Sequence, residues 1–97
     1  NDGVRPIHVA AQHGEDNTVL LLIFLRADVN LQDTGGRSPC WTASYAGHTR
    51  VISTLLGARA NVNLACEGCT PADVAQHNGH LNALEILLRN GGIRNAT

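Results

Sequence analysis

The 97-residue chain contains no Lys and no Met, and aromatic residues make up only 3% of it, with one Trp, one Tyr and one Phe. Any core must therefore be built from aliphatic side chains. All seven basic residues are Arg, and the formal net charge is −1. Without excess positive charge the chain lacks a general attraction to nucleic acid or to anionic membranes, so we expect neither partner. The missing initiator Met indicates a fragment, a processed chain or an engineered one.

Long apolar runs and a full set of paired cysteines are also missing. The longest apolar run, VLLLIFL at positions 19–25, has seven residues, whereas a helix that spans a bilayer needs about 20. Three cysteines are an odd number, so we expect no complete disulfide framework. The N-terminal letters show no signal peptide. These features together predict a single small domain in an intracellular compartment, cytoplasmic or nuclear.

The chain does contain an internal repeat. A proline, a glycine and an asparagine each recur at intervals of 33 and then 32 residues. The prolines are Pro6, Pro39 and Pro71, the glycines are Gly14, Gly47 and Gly79, and the asparagines are Asn30, Asn63 and Asn95. The interval is one residue shorter the second time because the loop after Asn63 has lost a residue. A period of this length is typical of repeat proteins whose units stack on each other.

Each repeat unit has the signature of two helices and a loop. A proline near the start and a glycine at the end predict a short first helix in RPIHVAAQHG, SPCWTASYAG and TPADVAQHNG. A second helix follows, predicted over 16–25, 49–58 and 81–90, and a polar loop then leads to the next unit. Ser38 and Thr70 are positioned to cap their helices, with Asp73 completing a capping box, whereas Arg5 cannot cap the first helix.

The segments RPIHVAA and ADVN and the Gly-His pairs at 47–48 and 79–80 resemble the ankyrin repeat over the whole chain. The resemblance implies an all-α ankyrin-repeat solenoid of three stacked helix-turn-helix units with β-hairpin-like loops. It implies one domain, 1–97, with repeats at approximately 1–32, 33–65 and 66–97. Trp41 and Asp73 depart from the family by replacing its His, and Arg26 and Arg59 replace a Gly that usually has positive φ.

Two cysteines and two histidines raise the question of a metal site. Cys66, Cys69, His77 and His80 form the pattern C-x2-C-x7-H-x2-H, whose ligands would all have to lie about 2.0–2.3 Å from one zinc ion. The predicted first helix of the third repeat separates the two pairs by roughly 12 Å. We therefore expect no stoichiometric zinc and no cofactor. A metal or thiol site at Cys66 and Cys69, or a local disulfide between them, stays open as a distant alternative.

The resemblance implies a protein-protein interaction module that binds through the concave face of the stack, and no catalytic arrangement is visible, so we expect no enzyme. The alternative is an engineered or library-derived ankyrin scaffold with no natural partner. Transferred by position, the candidate contact residues lie at loop tips and at the ends of first helices: Asp2, Val4, Gln12, His13, Thr34, Arg37, Tyr45, Glu67, Cys69, His77 and Asn78. Trp41 is expected in the core or in the groove floor, without direct contact to a partner.

A second candidate surface comes from the apolar run of the first repeat. Leu20 and Phe24 fall where the family's helices face solvent, and exposed apolar area of this kind marks an interface or a truncated stack. Val19, Leu21, Leu22 and Ile23 are expected to fill the core instead. We therefore expect weak self-association, or flanking repeats that this sequence does not include.

Overall fold

The computed structural model describes residues 6–95, which form six helices arranged as three consecutive pairs. The first helices of the pairs are α1 (Pro6–His13), α3 (Pro39–Ala46) and α5 (Pro71–His77), and the second helices are α2 (Asp16–Phe24), α4 (Thr49–Gly57) and α6 (Leu81–Arg89). Helix α3 packs between α1 and α5, and α4 packs between α2 and α6. The pairs therefore stack in two layers, which confirms the predicted all-α solenoid.

The helix starts follow the predicted capping residues. The Ser38 hydroxyl accepts a hydrogen bond from the backbone N–H of Trp41, and Pro39 opens α3. At α5 the Thr70 hydroxyl accepts from the N–H of Asp73, while the Asp73 carboxylate accepts from the N–H of Thr70, which completes a capping box. These bonds satisfy N–H groups that have no partner inside a helix. Asp2, Val4 and Arg5 lie outside the described residues.

Each second helix is followed, two positions after its last residue, by a residue in the left-handed conformation. Arg26 has φ 70°, Arg59 has φ 68°, and the equivalent Gly91 has φ 89°. The N–H of each residue that follows returns to a carbonyl of the helix, for example Ala27 to Leu22 at 2.9 Å. The predicted positive φ at the two arginines is confirmed, and each predicted second helix ends one residue earlier than expected.

The core is aliphatic and consists mainly of small side chains, as the scarcity of aromatic residues predicts. Its largest members with almost no exposed surface are Val19, Val51, Ile52, Leu55 and Leu87. One expectation is wrong: Leu21 does not fill the core, because 56% of its surface is exposed. The equivalent Thr54 of α4 donates a hydrogen bond to Asp16 of α2, so this position faces the preceding pair. By the same placement, Leu21 points away from α4, on the side of α2 that no described helix covers.

Side chains at equivalent positions of the first two repeats bind the backbone of the repeat that follows. His8 Nε2 donates to the carbonyl of Arg37 at 3.0 Å, and Trp41 Nε1 donates to the carbonyl of Cys69 at 3.0 Å. Trp41 therefore makes the contact that the family's His makes in the first repeat. In the third repeat, Asp73 accepts instead, from the N–H of Asn95 at 3.2 Å.

A second set of contacts joins the repeats at the helix turns and the loops. The Nε2 atoms of His48 and His80 lie 3.0 and 3.1 Å from the carbonyl oxygens of Gln12 and Tyr45. The Asn30 side-chain oxygen accepts from the N–H of Asn61 at 2.6 Å, and the equivalent Asn63 accepts from a backbone N–H in the third repeat. The repeats are therefore registered by hydrogen bonds as well as by apolar packing.

The predicted β-hairpin-like loops are reduced to a single bridge within residues 6–95. Cys66 and Cys69 face each other as an isolated antiparallel pair. The earlier loop contains the extra residue and closes differently, because the Asp33 side chain accepts from the N–H groups of Gly35 and Arg37, both at 2.9 Å. In the part of the chain that the structure describes, no helix is long and apolar enough to cross a membrane.

Candidate functional site

A stacked aromatic pair occupies the middle of the first-helix layer. The rings of Trp41 and Tyr45 stack with centroids 5.4 Å apart and planes 10° apart. These residues are one helical turn apart on α3, so their side chains share a face. Trp41 is half-buried and held by its bond to Cys69, whereas 55% of Tyr45 is exposed. The pair therefore presents a ring that is positioned before any ligand arrives.

Two recesses lie on either side of Tyr45, each with a volume of about 300 Å³. The Arg37 recess is formed mainly by α1, α3 and the loop between the first two repeats, and its lining is His8, Gln12, Asp33, Arg37, Trp41, Thr42, Tyr45 and Ala46. The His77 recess is formed mainly by α5, and its lining is Tyr45, Cys69, Asp73, Val74, Gln76, His77 and Asn78. Tyr45 belongs to both linings, so the recesses adjoin.

The Arg37 recess holds an ion pair. Arg37 Nε lies 3.1 Å from Asp33 Oδ2, and half of the Arg37 side chain is exposed while Asp33 is largely covered. Partial desolvation favours the neutral acid, but hydrogen bonds from the N–H groups of Arg37 and Gly35 and the Arg37 guanidinium outweigh it. The pKa of Asp33 therefore lies below its ordinary value. The recess offers a guanidinium edge held in place beside an aromatic ring.

The structure brings together six of the predicted contact residues and leaves the others apart. Those that line the two recesses are Gln12, Arg37, Tyr45, Cys69, His77 and Asn78. His13, Thr34 and Glu67 are exposed but lie outside both linings. Asp2 and Val4 fall outside residues 6–95. The side-chain amide of Asn78 already donates a hydrogen bond to the Tyr45 carbonyl at 2.9 Å, so part of its hydrogen-bonding capacity is used within the chain.

Sequence reasoning missed Asp33 and Gln76 as lining residues. Asp33 precedes Arg37 by four residues, a spacing that can bring opposite charges together across a tight turn, so a signal was present. Gln76 lies on the exposed side of α5 and accepts from Arg94 Nη1 at 3.3 Å. That contact joins residues 18 positions apart, and no pattern in the repeat indicates it.

The cysteine and histidine pattern is dispersed by the repeat geometry. Cys66 is buried and its thiol donates to the carbonyl of Gly35 at 3.1 Å, while His80 Nε2 binds the Tyr45 carbonyl. Among residues 6–95, no group of three or more His, Cys, Asp or Glu side chains is placed to hold a metal ion. Burial raises the pKa of the Cys66 thiol, and it raises that of Cys40, in the core, to about 12.

The outer face of α2 is apolar where the other outer helices are polar. Leu20 is 51% exposed and Phe24 is 81% exposed. The equivalent residues of α6 are Glu85 and Arg89, which form an exposed ion pair at 3.0 Å. Leu25 is exposed as well. The exposure of Leu20 and Phe24 agrees with the sequence pattern, and their role in self-association stays a prediction.

Comparison with known proteins shows the family. A sequence profile of three copies of the ankyrin repeat matches residues 3–96. The chain is 34% identical over 91 residues to Rabankyrin-5 of Mus musculus, which covers 91% of this chain and 8% of that protein. It is 36% identical over 85 residues to the E3 ubiquitin-protein ligase XBAT33 of Arabidopsis thaliana, covering 86% of this chain and 17% of the ligase.

A viral protein is also similar, the ankyrin repeat domain-containing protein OPG015 of Monkeypox virus, with 44% identity over 71 residues, 64% of this chain and 16% of that protein. The chain thus spans less than a fifth of the length of each of these relatives. The similarity covers the repeats, so it does not extend to this chain the other activities of the longer proteins. By its three helix pairs, its repeated motifs and these matches, the chain belongs to the ankyrin-repeat family.

Proposed function

We propose that this chain binds a protein partner through the surface formed by Tyr45 and the two recesses beside it. Ankyrin repeats are generally protein-interaction modules, and a fold by itself does not select a site. The observation that carries the proposal is the Trp41–Tyr45 stack, which holds an exposed aromatic ring between two concavities. A positioned Tyr anchors an interface at low entropic cost.

The chemistry of the recesses supports an extended peptide or a loop as the bound element. The Arg37 recess offers a guanidinium, and the His77 recess offers His77 and the Gln76 amide around the apolar Val74. A segment that crosses Tyr45 would place one side chain in each recess. Polar groups at the edges and an aromatic ring at the centre are typical of interface composition.

The test is a peptide selection, which works while the partner is still unidentified. A random peptide library displayed on phage is selected on the wild-type chain, and enriched peptides are then measured on two variants. Tyr45→Ala removes the exposed ring, whereas Glu85→Ala with Arg89→Ala alters exposed residues of the outer layer. We expect at least a tenfold loss of affinity for Tyr45→Ala, about 1.4 kcal/mol, and none for the outer-layer control.

Equal binding to wild type and Tyr45→Ala would contradict the proposal, and so would peptides lost only from the outer-layer control. The thermal unfolding midpoint of each variant is measured alongside, because a variant that has lost its structure would bind the peptides weakly whichever surface they use.

We propose a second, weaker contact in which Leu20 and Phe24 pair two copies of the chain. The supporting observation is the exposed apolar pair on α2, at positions where α6 has Glu85 and Arg89. This surface lies on the outer layer, so it does not compete with the recesses.

A further inference from the structure

The bridge between Cys66 and Cys69 places the backbones of two cysteines directly opposite each other. The two residues exchange both backbone hydrogen bonds, from Cys66 N to Cys69 O at 2.9 Å and from Cys69 N to Cys66 O at 3.0 Å. The α-carbons of such a hydrogen-bonded antiparallel pair lie about 5.5 Å apart. Disulfides join α-carbons that are usually 4.4–6.8 Å apart, most often about 5.5–6 Å. Directly opposite residues also project their side chains from one face of the pair, with β-carbons about 4.5–5.5 Å apart. A disulfide needs about 3.5–4.5 Å between β-carbons, so its formation requires the pair to close slightly.

The turn between the two cysteines holds this pairing in place. Glu67 has φ 51° and Gly68 has φ 81°, and two consecutive residues with positive φ form the tight turn that best matches the twist of paired strands. The backbone of Cys69 is also fixed from outside, because its carbonyl accepts from Trp41 Nε1 at 3.0 Å. The backbones of the two cysteines are therefore held opposite each other by bonds that do not involve their thiols.

The surroundings of the two thiols differ. Cys69 is half-buried and lines the His77 recess, which is open to solvent. Cys66 is buried, and its thiol donates to the Gly35 carbonyl at 3.1 Å. A reagent in solution therefore reaches Cys69 first. Cys40 is buried in the core, so it takes no part.

We propose that Cys66 and Cys69 form a reversible disulfide, with Cys69 as the thiol that reacts with the oxidant and Cys66 as the thiol that resolves the intermediate. With glutathione disulfide as oxidant, the Cys69 thiolate attacks one sulfur, a bond forms between Cys69 Sγ and glutathione, and the first glutathione thiolate leaves. The Cys66 thiolate then attacks Cys69 Sγ and expels the second glutathione. Two protein thiols are oxidised, one glutathione disulfide is reduced to two thiols, and the protons pass to the leaving thiolates.

The Cys66–Cys69 disulfide would change the local contacts in two ways. It removes the thiol hydrogen that Cys66 donates to Gly35, and it fixes the residue whose carbonyl holds Trp41. Trp41 is the single Trp of the chain, so its fluorescence reports the change directly. Cys69 also lines the His77 recess, but the thiol exchange needs no bound partner, so its failure would leave the proposal for the recesses standing.

The experiment incubates the full chain with glutathione disulfide and follows the intact mass and the peptide map over time. We expect a mass lower by two hydrogen atoms, a map that joins Cys66 to Cys69 within one chain, a shift in Trp41 fluorescence, and full reversal by dithiothreitol. In Cys66→Ser we expect glutathione to stay attached at Cys69. In Cys69→Ser we expect Cys66 to react at least tenfold more slowly than Cys69 does in Cys66→Ser.

Three outcomes would overturn the proposal: a stable glutathione adduct on wild-type Cys69, disulfides only between chains, or a pair that includes Cys40. The wild-type peptide map decides these without any variant, so a variant that fails to fold does not leave the question open. Equal reactivity of Cys66 and Cys69 in the two single variants would contradict the assigned order of attack.

Discussion

Two arginines adopt a backbone conformation that suits glycine. Arg26 and Arg59 end their helices at φ 70° and 68°, where the third repeat has Gly91 at φ 89°. A side chain at this conformation costs about 1–2 kcal/mol, whereas glycine costs roughly 0.5–1 kcal/mol in lost chain entropy. We expect Arg26→Gly and Arg59→Gly each to raise the free energy of unfolding by about 0.5–1 kcal/mol, measured by chemical denaturation.

The matched control for these changes is Gly91→Ala. A Cβ built at Gly91 meets no atom within 4 Å, so this substitution measures the backbone cost alone. It should lower the free energy of unfolding. Denaturation midpoints that fall for both arginine variants would show that these side chains contribute more than the strain they impose.

Trp41 shows what a single sequence predicts and what it omits. The repeat register places Trp41 at the family's His position and predicts a place in the core or in the groove floor. The register does not predict the hydrogen bond from the indole N–H of Trp41 to the Cys69 carbonyl. His8, at the equivalent position of the first repeat, bonds the carbonyl of Arg37, but the sequence does not show that the larger indole ring can make the same kind of contact. The stack on Tyr45 depends on the same orientation, so the central feature of the candidate site was visible only in three dimensions.

Between elements, a glycine of one repeat packs against a histidine of the next. A Cβ added to Gly47 would lie 2.6 Å from His80 Nδ1, whereas a Cβ at the equivalent Gly79 meets nothing within 4 Å. Both glycines have positive φ, 79° and 75°, so the backbone cost of alanine is nearly the same. We expect Gly47→Ala to destabilise the fold by about 1–3 kcal/mol more than Gly79→Ala does, because it overpacks the contact.

Chemical denaturation of the two alanine variants measures this difference. Equal losses at Gly47 and Gly79 would show that the His80 ring moves aside without cost, and that the Gly-His contact does not stabilise the stack.

The N-terminus of α5 is fixed by one hydroxyl that makes two bonds. Thr70 accepts from the N–H of Asp73 at 3.2 Å and donates to the Ile93 carbonyl at 2.5 Å. Thr70→Ala should lower the free energy of unfolding by about 1–2 kcal/mol, because it removes the cap and leaves a buried N–H without that acceptor. Thr70→Ser keeps the hydroxyl and should cost much less. Equal stability of the alanine variant and wild type would contradict the capping assignment.

At the level of elements, the sequence predicts nearly everything that local chemistry determines. The prolines, the glycines and the capping residues Ser38 and Thr70 predict all six helices to within a residue at most ends. The loops are less predictable because their closure depends on single side chains. Asp33 closes the longer loop with its side chain, and within residues 6–95 a bridge occurs only at Cys66 and Cys69. The family resemblance implies the same hairpin in each loop.

Across the whole molecule, the exposure of equivalent side chains depends on whether their repeat has a neighbour on that side. The repeat pattern of the sequence alone does not predict this difference. Thr54 and Ile86 are partly covered by the preceding pair, while the equivalent Leu21 is 56% exposed. At the other end of the stack, Leu81 is 68% exposed and lies beside Leu84 and Leu88. The stack therefore has apolar residues at both ends and, through Leu20 and Phe24, on its outer layer.

These surfaces make different predictions about self-association. If the outer layer pairs two copies, Leu20→Glu with Phe24→Arg should weaken association at least tenfold, because it gives α2 the residues that α6 carries as the Glu85–Arg89 ion pair. Glu and Arg are good helix formers, and neither Leu20 nor Phe24 belongs to the core, so helicity should be unchanged. Leu81→Lys, at the far end of the stack, should leave the association as it is.

Sedimentation velocity over a range of concentrations decides between these arrangements. Loss of association in the Leu81→Lys variant alone would indicate head-to-tail stacking, in which the face with Leu81 meets the face with Leu21 and Leu25, and such contacts extend into open assemblies because the two surfaces differ. Loss in the α2 variant alone indicates a closed pair through Leu20 and Phe24. A wild-type chain that stays monomeric throughout would contradict both arrangements. The exposed side chains of Leu20 and Phe24, and the apolar residues at the two ends of the stack, would then have no affinity for a second copy at any concentration tested.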